Sequence, residues 1–331
     1  MKLLITGGAG FIGSHIALNL FEAENKITII DDFSTGNSTY LHNYEIIKCD
    51  INNIDLLKKK LKDRQFDCLI HLASKSIVSE SFLNEKEYIN TNVSGTESIL
   101  NLCLFLNIKK VIFSSTASVY GFTGNKKIKE ISSISPINPY GKSKLEAENI
   151  LKNYSVKYNI DVITFRFFNA CGGDIHSRIG ELHNPETHLI PLLMQHVLKE
   201  KKEKFNIYGN KFNTNDGYAI RDYLHVLDIC KAVDLGIKWL KNNNGCQTIN
   251  LGSGKATSVI EVIESFEKYF NKKINIIIKN KRNGEPDFLL ANIEKANILL
   301  DWNPTQSSLE KIIDDTYKWQ LKLMREDYFD R

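Results

Sequence analysis

A tyrosine and a lysine four residues apart open what reads as a helix in "SPINPYGKSK", residues 135–144. A free phenol titrates at about 10 and is a poor base at neutral pH. On a helix Tyr140 and Lys144 share one face. The lysine's charge, the positive end of the helix and a bound cationic ring would each favour the phenolate. Such a tyrosine can act as a general base. The Y-x-x-x-K spacing alone is common on exposed helices, but here "FSSTASVYG" ends the preceding apolar run. It offers Ser114, Ser115 and Thr116, hydroxyls expected at the carboxyl edge of a sheet, where ligands bind.

A second group suits a dinucleotide. "ITGGAGFIGSH" follows the first apolar run and places Gly7, Gly8, Gly10 and Gly13 in G-x-G-x-x-G and G-x-x-G-x-x-G spacing. Glycines there permit a tight turn and bring backbone N–H groups to a pyrophosphate, at the positive end of a helix beginning near Phe11. Asp31 and Asp32 close the second run, roughly 20 residues beyond the loop, where a carboxylate grips a ribose diol and repels a 2′-phosphate. NAD is therefore expected rather than NADP. Asp50, ending the third run, either faces the adenine or closes a simple turn.

These groups need a scaffold. "KLLIT", "KITIID", "YEIIKCD", "FDCLIHLA", "KKVIFSSTA" and "DVITFRFFN" read as buried strands, alternating with amphipathic stretches at Ile12–Glu22, Ile54–Leu61 and Gly95–Leu106. The alternation predicts an α/β fold, a Rossmann-type doubly wound parallel sheet over residues 1–169. Residues 170–331 read as a smaller C-terminal α/β region, with some segments returning to the first. Its expected elements are a helix from about Pro191, a strand near "FNIYG", a helix after "RDYLHV", "QTINLGS", a helix over Ser258–Phe270 and "INIIIK".

Bulk properties exclude several classes. The 331 residues carry a net charge of +4 with both signs interleaved, which asks for neither nucleic acid nor a membrane surface. The lysines of "LKKKLKD" read as the solvated face of a helix. The six cysteines form no C-x-x-C pair, so reduced thiols and a cytoplasmic location are expected. No stretch approaches the about 18 apolar residues of a membrane span. His15 and His71 read as packing histidines. His176, His183 and His188 fit no H-E-x-x-H spacing, so no metal is expected.

The motifs together resemble the extended short-chain dehydrogenase/reductase family, in its branch of UDP-hexose 4-epimerases and relatives acting on N-acetylated sugars. "TGGAGFIGSH", "FSSTASVYG", "NPYGKSK", "RFFNACGG", "NPETHLIP", "NDGYAIRDYLHVLDI" and "NLGSG" carry the likeness along nearly the whole chain. The resemblance implies Thr116, Tyr140 and Lys144 as catalytic residues. It implies NAD lined by Gly7, Gly10, Phe11, Ile12 and Gly13, by Asp31, Asp32, Ser34, Thr35 and Gly36, and by Asp50 and Ile51. Leu72, Ala73, Ser74, Asn92, Ser114 and Phe167 complete that set with Tyr140 and Lys144.

For the UDP-sugar substrate it implies Asn169 at the diphosphate, His188 and Leu189 along the nucleotide, and Asn206, Ile207 and Tyr208 at the uracil. Arg221 and Arg282 clamp the diphosphate, Glu285 holds the ribose, and Thr116, Tyr140 and Leu289 meet the sugar. The implied reaction oxidises the sugar at C4, turns the 4-keto sugar over and returns the hydride to its other face. A homodimer through the stretches Ser94–Leu106 and Gly141–Lys157 is implied as well.

The chain departs from the branch in places. Ser76, with Lys75 before it, stands where a cofactor-contacting lysine is common, and Thr91 replaces an asparagine. Leu289 stands where a tyrosine narrows the pocket of enzymes confined to plain hexoses, so N-acetylated sugars are expected to fit, unless Leu289 only packs. A 4,6-dehydratase or decarboxylase would need an acid beside Thr116, where Ala117 and Ser118 follow. A non-catalytic NAD sensor would be expected to lack the Tyr/Lys pair.

Overall fold

The computed structural model describes residues 1–37, 41, 44–199 and 203–325. The six expected runs form β1 (Lys2–Thr6), β2 (Lys26–Asp31), β3 (Glu45–Lys48), β4 (Cys68–His71), β5 (Lys110–Thr116) and β6 (Asp161–Phe167). A seventh strand, Cys246–Leu251, joins them. All seven run parallel in the order Cys246–Leu251, β6, β5, β4, β1, β2, β3. β1 lies between β2 and β4, so the order reverses there and the loops after β1 and β4 open a crevice at the carboxyl edge.

Successive side chains of a strand point to opposite faces. Leu3, Ile5, Ile29 and Ile70 therefore share one core with the helices Phe11–Glu22 and Val226–Asn242. Leu4, Ile30, Leu69 and Val111 pack on the other face against Ile54–Leu61, Gly95–Phe105 and Pro139–Tyr158. Burial on both faces is why these strands read as unbroken apolar runs.

Residues beyond β6 add three small pairings: Asn169–Cys171 with Tyr223–His225, Ile220–Arg221 with Thr257–Ser258, and Phe205–Tyr208 with Ile276–Lys279. A separate apolar cluster around Leu193, Val262, Phe266 and Ile312 supports them. The chain does not stay in this region after leaving it once. Val226–Asn242, Cys246–Leu251, Trp302 and Trp319 all return to the core of the main sheet.

The Pro139–Tyr158 helix has a sharply defined start. The Asn138 side chain caps it by accepting from the Gly141 N–H at 2.7 Å, and Pro139 occupies the first turn. A Cβ on Gly141 would lie 2.6 Å from the Ser118 carbonyl oxygen, so only glycine lets the helix start press on the turn after β5. Further along, the buried Glu148 accepts both Arg166 Nε (2.9 Å) and Nη2 (2.6 Å) from β6, and Ser115 Oγ (2.6 Å) from β5. Arg166 Nη1 donates to Tyr120 at 2.8 Å. A buried pair of this kind is costly to break from one side. It fixes the rotation of the helix, and so the direction in which Tyr140 and Lys144 point, since all three lie on one face.

Candidate active site

The glycine loop closes on itself after β1. Gly7 sits at φ +72°, and a Cβ there would meet the Ala73 nitrogen at 2.5 Å, which brings the loops after β1 and β4 into contact. A Cβ on Gly13 would fall 2.0 Å from the Gly7 oxygen, so the helix can start against the loop only with glycine there. Gly10 differs: its nearest neighbour would be the Gly7 oxygen at 3.5 Å, ordinary contact. The side that a Gly10 Cβ would occupy is open, as a backbone approached by a pyrophosphate requires.

The Phe11–Glu22 helix begins at Gly10 with no side-chain cap and no acid in its first turn. Its first N–H groups and the positive helix end are thus left to an anion. Asp31 is buried and accepts from the Ala9 N–H (2.9 Å) and the Phe33 N–H (2.9 Å), tying the glycine loop to the end of β2. Burial raises its pKa against those hydrogen bonds. Asp32 is exposed beside it and accepts from the Ser34 N–H at 2.9 Å, with Ser34 and Thr35 exposed as well. These features fit NAD, with a carboxylate edge for the ribose and an open N–H cradle for the phosphates.

Other expected cofactor residues are placed unequally. Leu72, Ala73 and Ser74 follow β4 at the crevice, where the Leu72 N–H donates to the Thr6 carbonyl at 3.0 Å. Ile51 and Phe167 have core side chains, so only their backbones or ring edges can reach a ligand. Asp50 accepts from the Asn52 N–H at 2.8 Å and is exposed. Asn92 is buried and engaged within the protein. Its Oδ1 accepts from the Lys75 N–H (2.8 Å), and its Nδ2 donates to the Lys75 carbonyl (3.0 Å) and Ser143 Oγ (2.9 Å). It ties the loop after β4 to the Tyr140 helix. Lys75 itself pairs with Glu87 at 2.7 Å.

Thr116 ends β5 and accepts from the Ser118 N–H at 3.1 Å. It also hydrogen-bonds the Tyr140 hydroxyl. Tyr140 is 9% exposed, and its ring packs edge-on against Tyr88 with centroids 6.3 Å apart. Burial pushes the phenol up to about 12, with the Thr116 hydrogen bond partly opposing. Proximity of Lys144 is therefore not enough, as the spacing alone suggested, to make the phenol a base in the free protein. Lys144 is buried with its ammonium 4.6 Å from the Phe113 ring centroid. Burial pulls its pKa down to about 7, with Glu148 partly opposing.

This depression has a measurable sign. Lys144 is shifted to about 7 from an ordinary 10.5. Between those values the unfolded chain binds more protons, so this group makes stability rise with pH across that window. Lys144→Met is expected to flatten the rise in ligand-free protein, read by urea unfolding at about pH 7 and about pH 9. An unchanged difference between the two pH values would contradict a buried, weakened ammonium.

Across the crevice, Asn169 follows β6 with an exposed side chain. Arg221 Nη2 donates to Glu285 Oε1 at 2.9 Å, while Glu285 Oε2 is buried without a hydrogen-bond partner. Arg282 stacks 4.0 Å over the Tyr208 ring. Asn206 and Tyr208 face outward from their strand, but Ile207 between them is core, at 3% exposure. Leu189 opens the helix Leu189–Leu198, and His188 precedes it with half its side chain exposed. Leu289 packs with Ala117, Val119 and Phe168, next in sequence to Thr116 and Asn169.

Sequence spacing missed one feature. Glu181, His183, Glu186 and His188 converge so that one ligand atom from each lies within 4.8 Å of the others. The signal was E-x-H-x-x-E-x-H rather than histidine spacing alone.

The GDP-mannose 4,6 dehydratase family model matches residues 4–316. A curated UDP-glucose 4-epimerase from Halalkalibacterium halodurans is 38% identical over 96% of this chain and 95% of its own length. The crystal structure of UDP-glucose 4-epimerase from Brucella ovis in complex with NAD is 35% identical, with TM-score 0.91 over 96% of this chain and 97% of that one. A UDP-N-acetylglucosamine 4-epimerase from Methanobrevibacter ruminantium M1, in complex with UDP-N-acetylmuramic acid, is 32% identical, with TM-score 0.85 over 98% of this chain and 99% of that one.

Proposed function

The chain belongs to the GDP-mannose 4,6 dehydratase family, within the extended short-chain dehydrogenases/reductases, and on that premise we propose that it is an NAD-dependent UDP-hexose 4-epimerase. One observation carries the reading. The Thr116–Tyr140 hydroxyl pair stands at the carboxyl edge of the same sheet as the open Gly10 cradle, with β4 between β5 and β1, and no carboxylate follows Thr116. A dehydratase needs an acid there to take a proton from carbon; an epimerase moves only the proton of the 4-hydroxyl.

NAD bound in the crevice supplies the hydride acceptor, and afterwards the donor, at C4. The chain's own residues do the rest. In the free protein Tyr140 keeps its proton, because burial opposes the phenolate. Added positive charge in the crevice favours the phenolate, and Tyr140 then takes the 4-hydroxyl proton and gives it back to the same oxygen when the hydride returns to the other face of C4. The Thr116 hydroxyl bridges Tyr140 to the sugar oxygen. Arg221 and Arg282 clamp the diphosphate with forked donors, Asn169 and the His188–Leu189 backbone line it, and Asn206 and Tyr208 hold the uracil. The unpartnered Glu285 Oε2 accepts from the uridine ribose. Binding energy sits on UDP, so the 4-keto sugar is free to turn over.

Leu289 sets the sugar range. A leucine against Ala117 and Phe168 leaves room that a tyrosine ring would fill, so UDP-GlcNAc and UDP-GalNAc are substrates with the plain hexoses. Assaying the four UDP-sugars side by side tests this. Leu289→Tyr is expected to lower kcat/KM for the N-acetylated pair about tenfold or more and to change the plain pair little. A wild-type enzyme that turns over UDP-galactose but not UDP-GalNAc would overturn it.

Self-association follows the same reading. Phe105 (50% exposed) and Val156 (85%) lie on the helices Gly95–Phe105 and Pro139–Tyr158, which we assign to a homodimer contact. Light scattering is expected to give twice the chain mass at micromolar concentration; monomer alone would contradict it. Among the described residues no helix is long and apolar enough to cross a membrane.

A further inference from the structure

We propose that Glu181, His183, Glu186 and His188 form a structural zinc site that pins the loop ahead of the Leu189–Leu198 helix. The donor set is two imidazole nitrogens and two carboxylates, the borderline ligands zinc takes. Zinc bonds of about 2.0–2.1 Å place tetrahedral ligand atoms about 3.3–3.4 Å apart. Here Glu181 Oε1 lies 2.7 Å from His188 Nδ1 and 3.2 Å from His183 Nδ1. Glu186 Oε1 lies 3.2 Å from His188 Nδ1, and its Oε2 lies 3.7 Å from His183 Nδ1. All four donors thus lie within 4.8 Å of one another, close enough for small side-chain movements to bring them onto one zinc.

Three further observations point the same way. His183 Nδ1 is buried and has no aligned hydrogen-bond partner, despite its short approach to Glu181; a shared cation satisfies it where a hydrogen bond does not. The ligands are held from behind, as metal ligands usually are. Glu186 Oε1 accepts from the Thr187 N–H (2.7 Å) and His188 N–H (2.8 Å), which leaves Oε2 for the metal. The Glu181 carbonyl accepts from Trp319 Nε1 at 3.0 Å, anchoring the loop to the main core. Finally, both carboxylates are buried while His188 is 52% exposed, which provides an entry path. Four protein ligands leave no open position, the pattern of a structural rather than a catalytic zinc.

The test uses tag-free full-length protein, stripped with a chelator and titrated with Zn²⁺ in a non-coordinating buffer. The expected result is saturation at about one zinc per chain, a raised melting temperature, and intense visible bands of tetrahedral cobalt when Co²⁺ replaces zinc. His183→Ala and Glu186→Gln should each weaken uptake about 100-fold or more, while His176→Ala, outside the cluster, should not. No saturable uptake by wild-type protein, or a pale octahedral cobalt spectrum, would mean that the four side chains are ion pairs only. Uptake unchanged in both variants would mean adventitious zinc and overturn the site. If a variant fails to fold by circular dichroism, the wild-type stoichiometry and cobalt spectrum decide.

Discussion

Tyr140→Phe should lower kcat by about 10²- to 10⁴-fold, the usual worth of a positioned general base, while NAD and UDP-sugar stay bound. The substitution removes one oxygen and keeps the ring that packs edge-on against Tyr88. The hydrogen bond it deletes runs to Thr116, whose Oγ1 keeps its own bond from the Ser118 N–H. The fold is therefore expected to hold, and the loss belongs to proton transfer from the 4-hydroxyl. Steady-state kinetics with UDP-galactose, together with equilibrium binding of UDP and NAD, separates the two effects. Turnover retained within a factor of about ten would remove Tyr140 from the chemistry.

Gly13→Ala is expected to be the most damaging single change in the cofactor loop. The new methyl would fall 2.0 Å from the Gly7 oxygen and 2.9 Å from Gly8 Cα, both backbone atoms that cannot swing aside. The loop would have to open, and Gly7 is itself pressed on the Ala73 backbone. Clashes of this kind with fixed backbone belong to the class that costs more than about 4 kcal/mol. Gly10→Ala is the matched comparison. Its methyl would meet the protein only at 3.5 Å, so the fold should tolerate it, and NAD affinity is what should fall. Thermal unfolding and NAD titration of both variants read this out. A Gly13→Ala protein with wild-type melting and NAD affinity would contradict the loop geometry.

Much of this was legible in the sequence because the information is local. β1, β2 and the Ile54–Leu61 helix match their expected spans, since a continuous apolar run or a 3.6-residue stripe needs no distant partner to be read. β3 is shorter than the run "YEIIKCD" suggests: as the edge strand it keeps only Glu45–Lys48 in the sheet. The helices Glu294–Leu300 and Leu309–Arg325 were not anticipated. In the second, Ile312, Ile313, Trp319 and Leu323 lie at helical spacing on the buried face, with Asp315 and Gln320 buried among them. That some segment returns to the main sheet is expected, but that Cys246–Leu251 does so beside β6 is not legible, because a strand's own residues do not specify which neighbour it pairs with. The same limit hid the Glu148–Arg166 pair, which joins a helix to β6.

The site was legible by type and not by electrostatics. Thr116, named through the family resemblance, is in contact with Tyr140. Burial, which no spacing reports, then raises the tyrosine and lowers Lys144. Asn92 likewise reads as a ligand contact, yet its amide is spent on Lys75 and Ser143.

In the proposed reaction the hydride leaves C4 and returns to C4. The direct measurement follows UDP-glucose carrying deuterium at C4 through the reaction in ordinary water, by mass and NMR analysis of the product. The expected product is UDP-galactose with the deuterium kept at C4, approached to the same mixture from either sugar, with no net absorbance gain at about 340 nm, where reduced nicotinamide absorbs. Deuterium found at C6 with loss of water, or washed out to solvent, would contradict it.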